Sequence, residues 1–68
     1  MFTIKVTTAS GNEVIESGYG IQWSPWAHKL NYTDHNNCGD DLTLQPGDKA
    51  EIINSAGKTV AHYVNDSK

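Results

Sequence analysis

Apolar and polar residues alternate along several short stretches of this chain, which is the pattern of half-buried β-strands. The first stretch, residues 2–8, places three apolar side chains on one face: Phe2, Ile4 and Val6. Gly11 and Asn12 tolerate a positive φ, so a turn is expected at residues 9–12. We therefore predict an amino-terminal strand that buries one face and then reverses direction.

Residues 42–64 carry the clearest strand pattern, interrupted by two turns. Pro46 and Gly47 favour the first turn, and Gly57 favours a three-residue hairpin loop at residues 55–57. That loop predicts pairing of Ile52 with Val60 and of Ala50 with His62. The predicted inward face is then Ala50, Ile52, Val60, His62 and Val64. A β-branched residue resists positive φ, so Gly57→Val should be destabilising.

The run from residue 13 to residue 24 is unusually long for a strand in so short a chain. Four apolar residues share one parity: Ile15, Tyr19, Ile21 and Trp23. Gly18 and Gly20 share the other parity, which is typical either of one strand bent at glycine or of two strands joined by a loop. Pro25 excludes a central strand and permits a single helical turn. A short strand is expected at residues 29–33, followed by a polar loop at residues 34–41.

Five to six short strands separated by turns, without any helical period, indicate an all-β protein. We predict one small domain over residues 1–68, with residues 65–68 as a frayed tail. The architecture is either an antiparallel meander or an SH3-like partial barrel. The turn Pro46-Gly47-Asp48 before a strand resembles the strand entry of SH3-like small barrels, and this resemblance implies no activity.

Composition narrows the function classes. The formal net charge is −3 and the isoelectric point is about 5.3, which disfavours nucleic acid and anionic membranes as partners. Cys38 is the only cysteine, so no internal disulfide can form, and no signal peptide or membrane span is evident. We expect a cytoplasmic protein. Because 68 residues enclose a thin core, association into a homo-oligomer is an expected source of added stability.

No residue set has the spacing of an established catalytic, cofactor or metal site. The best metal candidates are His28, Asp34, His35 and Cys38, but a structural zinc site normally requires four Cys or His ligands in a closed set. A Cys38 nucleophile activated by His35 would lack an oxyanion hole. We therefore expect no enzyme activity, no cofactor and no metal. His62 on the predicted inward face is expected to bond a backbone carbonyl or water.

The aromatic residues give the strongest indication of function, because tryptophan and tyrosine left partly exposed often anchor interfaces. Trp26 follows a proline outside any predicted strand, so we place it on a binding surface. The predicted surface combines four aromatic residues and three acidic ones: Trp26, Tyr19, His28, Tyr32, Asp34, Asp40 and Asp41. Its acidic rim would attract a basic partner. Trp26→Ala should then reduce binding and leave the fold intact.

The leading hypothesis is a non-enzymatic small binding protein that acts by protein–protein contact, as an inhibitor or adaptor. Phage-encoded proteins that block a host or defence factor are one such class. One alternative is a small-molecule-binding β module with an aromatic pocket at an oligomer interface. Another is a metal-stabilised β module that uses His35 and Cys38.

Overall fold

A computed structural model describes residues 1–66 and contains six antiparallel strands in one open sheet. In chain order they are β1 Phe2–Thr7, β2 Glu13–Ser24, β3 Lys29–Thr33, β4 Gly39–Thr43, β5 Lys49–Ile53 and β6 Thr59–Val64. The spatial order is β4-β3-β2-β1-β5-β6. After β4 the chain therefore crosses the sheet and forms β5 beside β1. The predicted all-β class is confirmed. No helix in the described part of the chain is long and apolar enough to cross a membrane.

The long second strand is continuous and bent, which decides between the two predictions made for residues 13–24. Its first half pairs with β1 as far as Gly18, and its second half pairs with β3. Gly20 has a φ of 62°, and the pairing register shifts between Tyr19 and Gln22. The bend lets the sheet curl over itself. As a result the rings of Trp23 on β2 and Tyr63 on β6 stack at a centroid distance of 4.9 Å, although these strands are not neighbours.

The core lies inside this curl. Its buried apolar residues come from three strands, β1, β3 and β5, and from the connection between β4 and β5: Ile4, Val6, Leu30, Tyr32, Leu44, Ala50 and Ile52. The predicted inward direction of Ile4 and Val6 on β1, and of Ala50 and Ile52 on β5, is confirmed. Full burial of a large aliphatic side chain contributes about 1.5–3 kcal/mol, before the entropy cost of ordering it.

The β5–β6 hairpin has the predicted loop but a different strand register. The Asn54 N–H donates to the Lys58 carbonyl at 2.9 Å, as a loop at residues 55–57 requires. A β-bulge then places Ile52 opposite Ala61, so the predicted pairing of Ile52 with Val60 is wrong. The extra residue is Val60.

The bulge reverses the predicted faces of β6, because one additional residue moves every following side chain to the other face. Ala61 and Tyr63 pack against the core. Three residues predicted to point inward are exposed instead: Val60, His62 and Val64. The prediction that His62 is a core-facing histidine is therefore wrong.

Asn65 holds the carboxyl end of β6 in place. Its side-chain amide donates to the Leu44 carbonyl at 2.6 Å, and its backbone N–H donates to the Asp48 carbonyl at 3.1 Å. Asn65, placed in a frayed tail by the sequence prediction, is instead only 4% exposed. Residues 67–68 of the predicted tail lie outside the described residues.

The turn before β5 is held by the buried carboxylate of Asp48. One oxygen accepts the Ala9 N–H at 3.1 Å, and the other accepts the Gln45 N–H at 2.9 Å. Gly47 has a φ of 91°, which a glycine adopts without strain. The Pro46-Gly47-Asp48 motif therefore has a structural role, as predicted from its turn chemistry.

Candidate functional site

The residues predicted to form one binding surface lie at two ends of the β2–β3 hairpin. Trp26 and His28 are in the turn that joins the strands. Tyr19 pairs with Thr33, at the opposite end of β3. Strands rise about 3.3 Å per residue, so the length of β3 separates these two groups by roughly 13–17 Å. The structure therefore does not bring the predicted residues into one continuous surface.

The turn between β2 and β3 projects the Trp26 side chain into solvent. The Ala27 N–H donates to the Ser24 carbonyl at 3.2 Å, and His28 adopts a left-handed φ of 50°. Residues 25–28 form this turn and not the single helical turn that the sequence permitted. Trp26 is 87% exposed, whereas His28 is half-buried. The ring centroids of His28 and Trp23 lie 6.3 Å apart, with the ring planes inclined at 61°. Of Trp26 and His28, only Trp26 offers a large exposed apolar contact.

Acidic side chains converge at the other end of the hairpin. A groove of about 260 Å³ is lined there by Ile15, Glu16, Ser17, Tyr32, Asp34, His35 and Asp40. We term it the acidic groove. It receives residues from β2, β3, β4 and the β3–β4 loop, and it includes Tyr32, Asp34 and Asp40 from the predicted surface.

Tyr32 lines the acidic groove, and its ring packs against Gly18. A Cβ atom at position 18 would lie 2.5 Å from Cδ2 of Tyr32 and 3.0 Å from the Thr33 carbonyl oxygen. The ring is almost fully buried, and its hydroxyl donates to Asp40 Oδ2 at 3.4 Å. Tyr32 is thus a core residue, and its hydroxyl end lies at the groove. The sequence had suggested an exposed aromatic contact at this position.

The electrostatic field of the acidic groove acts on the Tyr32 hydroxyl. Burial and the neighbouring negative charges raise the pKa of Tyr32 to about 12, from a usual value of 10.0. Burial is the largest cause, followed by the charges of Asp40 and Glu16, and Asp34 contributes less. All of these effects disfavour a further negative charge on the phenol. The part of the pKa shift that comes from Asp40, Glu16 and Asp34 reflects the negative charge of the groove.

No lysine or arginine among the described residues lines the acidic groove. The two ion pairs found among residues 1–66 join Lys5 to Glu13 at 3.5 Å and Lys29 to Asp41 at 3.6 Å. Neither involves a carboxylate of the groove. Asp41, which was predicted to be part of the acidic rim, is instead paired and does not line the groove.

The β3–β4 loop fixes one wall of the acidic groove. Asp34 Oδ1 accepts the N–H groups of Asn36 at 2.8 Å and Cys38 at 3.0 Å. Asn37 adopts a left-handed φ of 61°, and its side-chain oxygen accepts a hydrogen bond from the hydroxyl of Tyr19. Tyr19, although 40% exposed, therefore also supports the loop.

Two of the predicted alternatives can be compared with this geometry. Within residues 1–66, no three His, Cys, Asp or Glu side chains are grouped so that they could hold a metal ion. A second groove of about 260 Å³ lies beside β5 and β6, lined by Lys49, Ala50, Glu51, Thr59, His62, Tyr63 and Val64. Tyr63 is the only tyrosine or tryptophan that lines this groove. An aromatic pocket at an oligomer interface requires a second copy of the chain and stays a prediction.

Sequence reasoning missed Glu16 as a residue of the acidic groove. Glu16 pairs with the buried Ile4, so both lie on the core face of the sheet. Glu16 and Gly18 are two residues apart on β2 and therefore share a face, which was a usable signal in the sequence. The signal was obscured because the core-facing positions of β2 change at the bend. Ile21 packs on the core, whereas Ile15, at the same parity before the bend, is 61% exposed.

Comparison of the chain with known protein families, curated proteins and solved structures found no match.

Proposed function

We propose that this chain is a non-enzymatic protein-binding domain, and that its acidic groove receives a basic side chain of a partner protein. The observation that carries this proposal is that three carboxylates line one groove to which no lysine or arginine of the described residues contributes: Glu16, Asp34 and Asp40. Carboxylates that line one groove attract a positive charge, and a lysine or arginine of a partner would supply it.

The chemistry of the acidic groove suits a lysine ammonium or an arginine guanidinium. Both cations donate several hydrogen bonds, and carboxylates accept them in short, charge-assisted contacts. Ile15 adds an exposed apolar side chain at the rim of the groove. A groove of this kind specifies charge, while the surrounding surface supplies the contact area.

A role as an inhibitor or adaptor follows from this kind of binding. Such a protein acts by covering a basic surface of its partner and needs no catalytic group. A phage-encoded protein that blocks a host or defence factor is one example of that class. We further propose that it acts in the cytoplasm, which suits a chain with a single exposed cysteine.

The proposal can be tested with short peptides that contain arginine or lysine, followed by NMR chemical shifts of the whole protein. We expect the shifts to concentrate at residues 15–17, 32–35 and 40. Asp34→Asn should weaken binding by about tenfold at low salt, because one charge-assisted contact is lost. Added salt should weaken binding in the same direction.

Asp41→Asn is the matched control. It removes the same charge from the residue next to Asp40, but outside the acidic groove. If Asp34→Asn and Asp41→Asn weaken peptide binding equally, the peptide responds to net charge alone and the groove is not its site. Shifts spread evenly over the surface would contradict the proposal in the same way.

Trp26 marks the other end of the hairpin as a second candidate contact, because it is 87% exposed. Trp26→Ala is expected to leave the free energy of unfolding within about 0.5 kcal/mol of the wild-type value, as for most exposed positions. If a protein partner loses affinity for Trp26→Ala but not for Asp34→Asn, the turn and not the acidic groove is the principal contact.

A further inference from the structure

The sheet ends in two edge strands of very different character. β4 lies at one end and β6 at the other, and each pairs with only one strand within residues 1–66. β4 carries Asp40 and Asp41, and charged side chains discourage pairing with another chain. β6 contains no Lys, Arg, Asp or Glu, and the strand is rich in β-branched and aromatic side chains. An edge of that composition is a template for strand pairing.

The outer face of β6 is also apolar. Val60 is 51% exposed and Val64 is 40% exposed, with the exposed His62 between them. These three residues share a face because side chains alternate along a strand. The unpaired backbone and the exposed valines of β6 together form what we term the β6 edge.

We propose that the β6 edge pairs with the β6 edge of a second copy of this chain, antiparallel and around a two-fold axis. A two-fold axis perpendicular to the sheet keeps the core faces of both copies on one side. Centring that axis on His62 places Val60 of each copy opposite Val64 of its partner. Ala61 then lies opposite Tyr63. This register covers the apolar side chains of β6 on both copies at once.

Charge favours pairing at this edge over the other one. β6 contains no Lys, Arg, Asp or Glu, so no like charges of these types face each other when two β6 strands pair. Pairing of two β4 strands around Asp41 would instead bring aspartates of the two copies together.

The first test is the mass of the full chain in solution, measured by light scattering and sedimentation over a range of concentrations. The wild-type protein should form a dimer. Val60→Lys should raise the dimer dissociation constant by about tenfold or more, because it places a lysine on the β6 edge of each copy. Val14→Lys is the matched control: Val14 is 41% exposed on β2, away from the β6 edge, and this variant should dimerise normally.

A second test examines the register by cross-linking. In a Cys38→Ser background, His62→Cys should form a disulfide-linked dimer under mild oxidation. Directly opposed residues of antiparallel strands have Cα atoms about 4.5–5.5 Å apart, which suits a disulfide. Asp41→Cys in the same background is the control at the centre of the other edge strand, and it should remain a monomer on a denaturing gel.

A wild-type protein that stays monomeric at every concentration would overturn the proposal. So would equal weakening by Val60→Lys and Val14→Lys, or equal cross-linking at positions 62 and 41.

The proposed dimer and the proposed binding at the acidic groove can be contradicted separately. Val60 does not line the acidic groove, so Val60→Lys should bind the basic peptides as the wild-type protein does. Asp34→Asn should retain the wild-type dimer. Loss of dimerisation with intact peptide binding therefore tests the β6 edge alone.

Discussion

The loop at residues 34–38 and the loop at residues 54–58 have the same backbone hydrogen bonds but different side chains. In both, the N–H of the first residue donates to the carbonyl of the fifth at 2.9 Å. The first side chain is Asp34 or Asn54, and its Oδ1 accepts the N–H groups of the third and fifth residues. The fourth residue is left-handed in both loops: Asn37 has a φ of 61° and Gly57 a φ of 82°.

The comparison separates what the backbone needs from what a site would need. The loop geometry requires a side-chain acceptor at its first position and a residue tolerant of positive φ at its fourth. Asn54 meets the first requirement without a charge, so the charge of Asp34 is not needed to form the loop. That charge instead contributes to the acidic groove. The loop at residues 54–58 is scaffold, whereas the loop at residues 34–38 is both scaffold and wall of the groove.

The largest expected effect concerns the packing beneath the acidic groove. Gly18→Ala should lower the free energy of unfolding by about 2–3 kcal/mol, since the new methyl group would overlap the Tyr32 ring and the Thr33 carbonyl. Chemical denaturation measures this change. The matched control is Gly57→Ala, where a Cβ atom meets nothing within 4 Å and only the positive φ opposes the substitution. A cost at position 18 no greater than that at position 57 would contradict the packing described for Tyr32.

The next effect is the dependence of stability on alkaline pH. Tyr32 keeps its proton in the folded state up to about pH 12, whereas in the unfolded chain it ionises near pH 10.0. The contribution of Tyr32 to the free energy of unfolding is therefore complete below pH 10. That contribution is lost as pH rises toward 12, at up to about 1.4 kcal/mol per pH unit. Denaturation at several alkaline pH values should show this slope in Tyr19→Phe but not in Tyr32→Phe. Equal slopes in the two variants would rule out the shift.

A smaller effect is expected in the scaffold loop. Gly57→Val should cost about 1–2 kcal/mol, because a β-branched residue adopts the left-handed conformation only with strain. Gly57→Asn should cost less, since asparagine already occupies the equivalent position at Asn37. Thermal or chemical denaturation of both variants provides the comparison. If valine is as well tolerated as asparagine, the two loops do not share their conformational requirement in solution.

The smallest effect distinguishes shape from charge at Asp34. Asp34→Ala should cost about 1 kcal/mol, because two exposed backbone N–H groups lose their side-chain acceptor. Asp34→Asn should be nearly neutral in stability, because Asn54 performs the same role in the other loop. Denaturation curves of the two variants measure the difference. A large loss of stability in Asp34→Asn would show that the charge itself supports the loop, and would weaken its assignment to the acidic groove.

Local pattern was sufficient for most of the secondary structure. The alternation of Phe2, Ile4 and Val6 predicted β1 and its buried face, and Gly57 predicted the hairpin loop. Alternation reports the side-chain period of a strand, and turn residues report the sign of φ, so both can be read without tertiary contacts. The all-β class followed from the same signals.

The candidate sites could be predicted only in part. Asp34 and Asp40 were expected at a binding surface, and both line the acidic groove. The sequence could not show that Tyr32 would be buried against Gly18, or that Glu16 would join the groove from β2. Those placements depend on which residues face one another across separate strands, and the spacing of residues along the chain does not specify that register.

What the sequence determined by itself was an all-β chain with its turns and the inward face of β1. The tertiary structure decided the rest through two irregularities of the sheet. The bend near Gly20 lets one strand pair with both β1 and β3, and the extra residue Val60 turns His62 outward. Each is a change of one or two residues that reverses a whole face, because side chains alternate with a period of two. Pairing energy summed over the curled sheet selects such irregularities, and no single stretch of the chain encodes them.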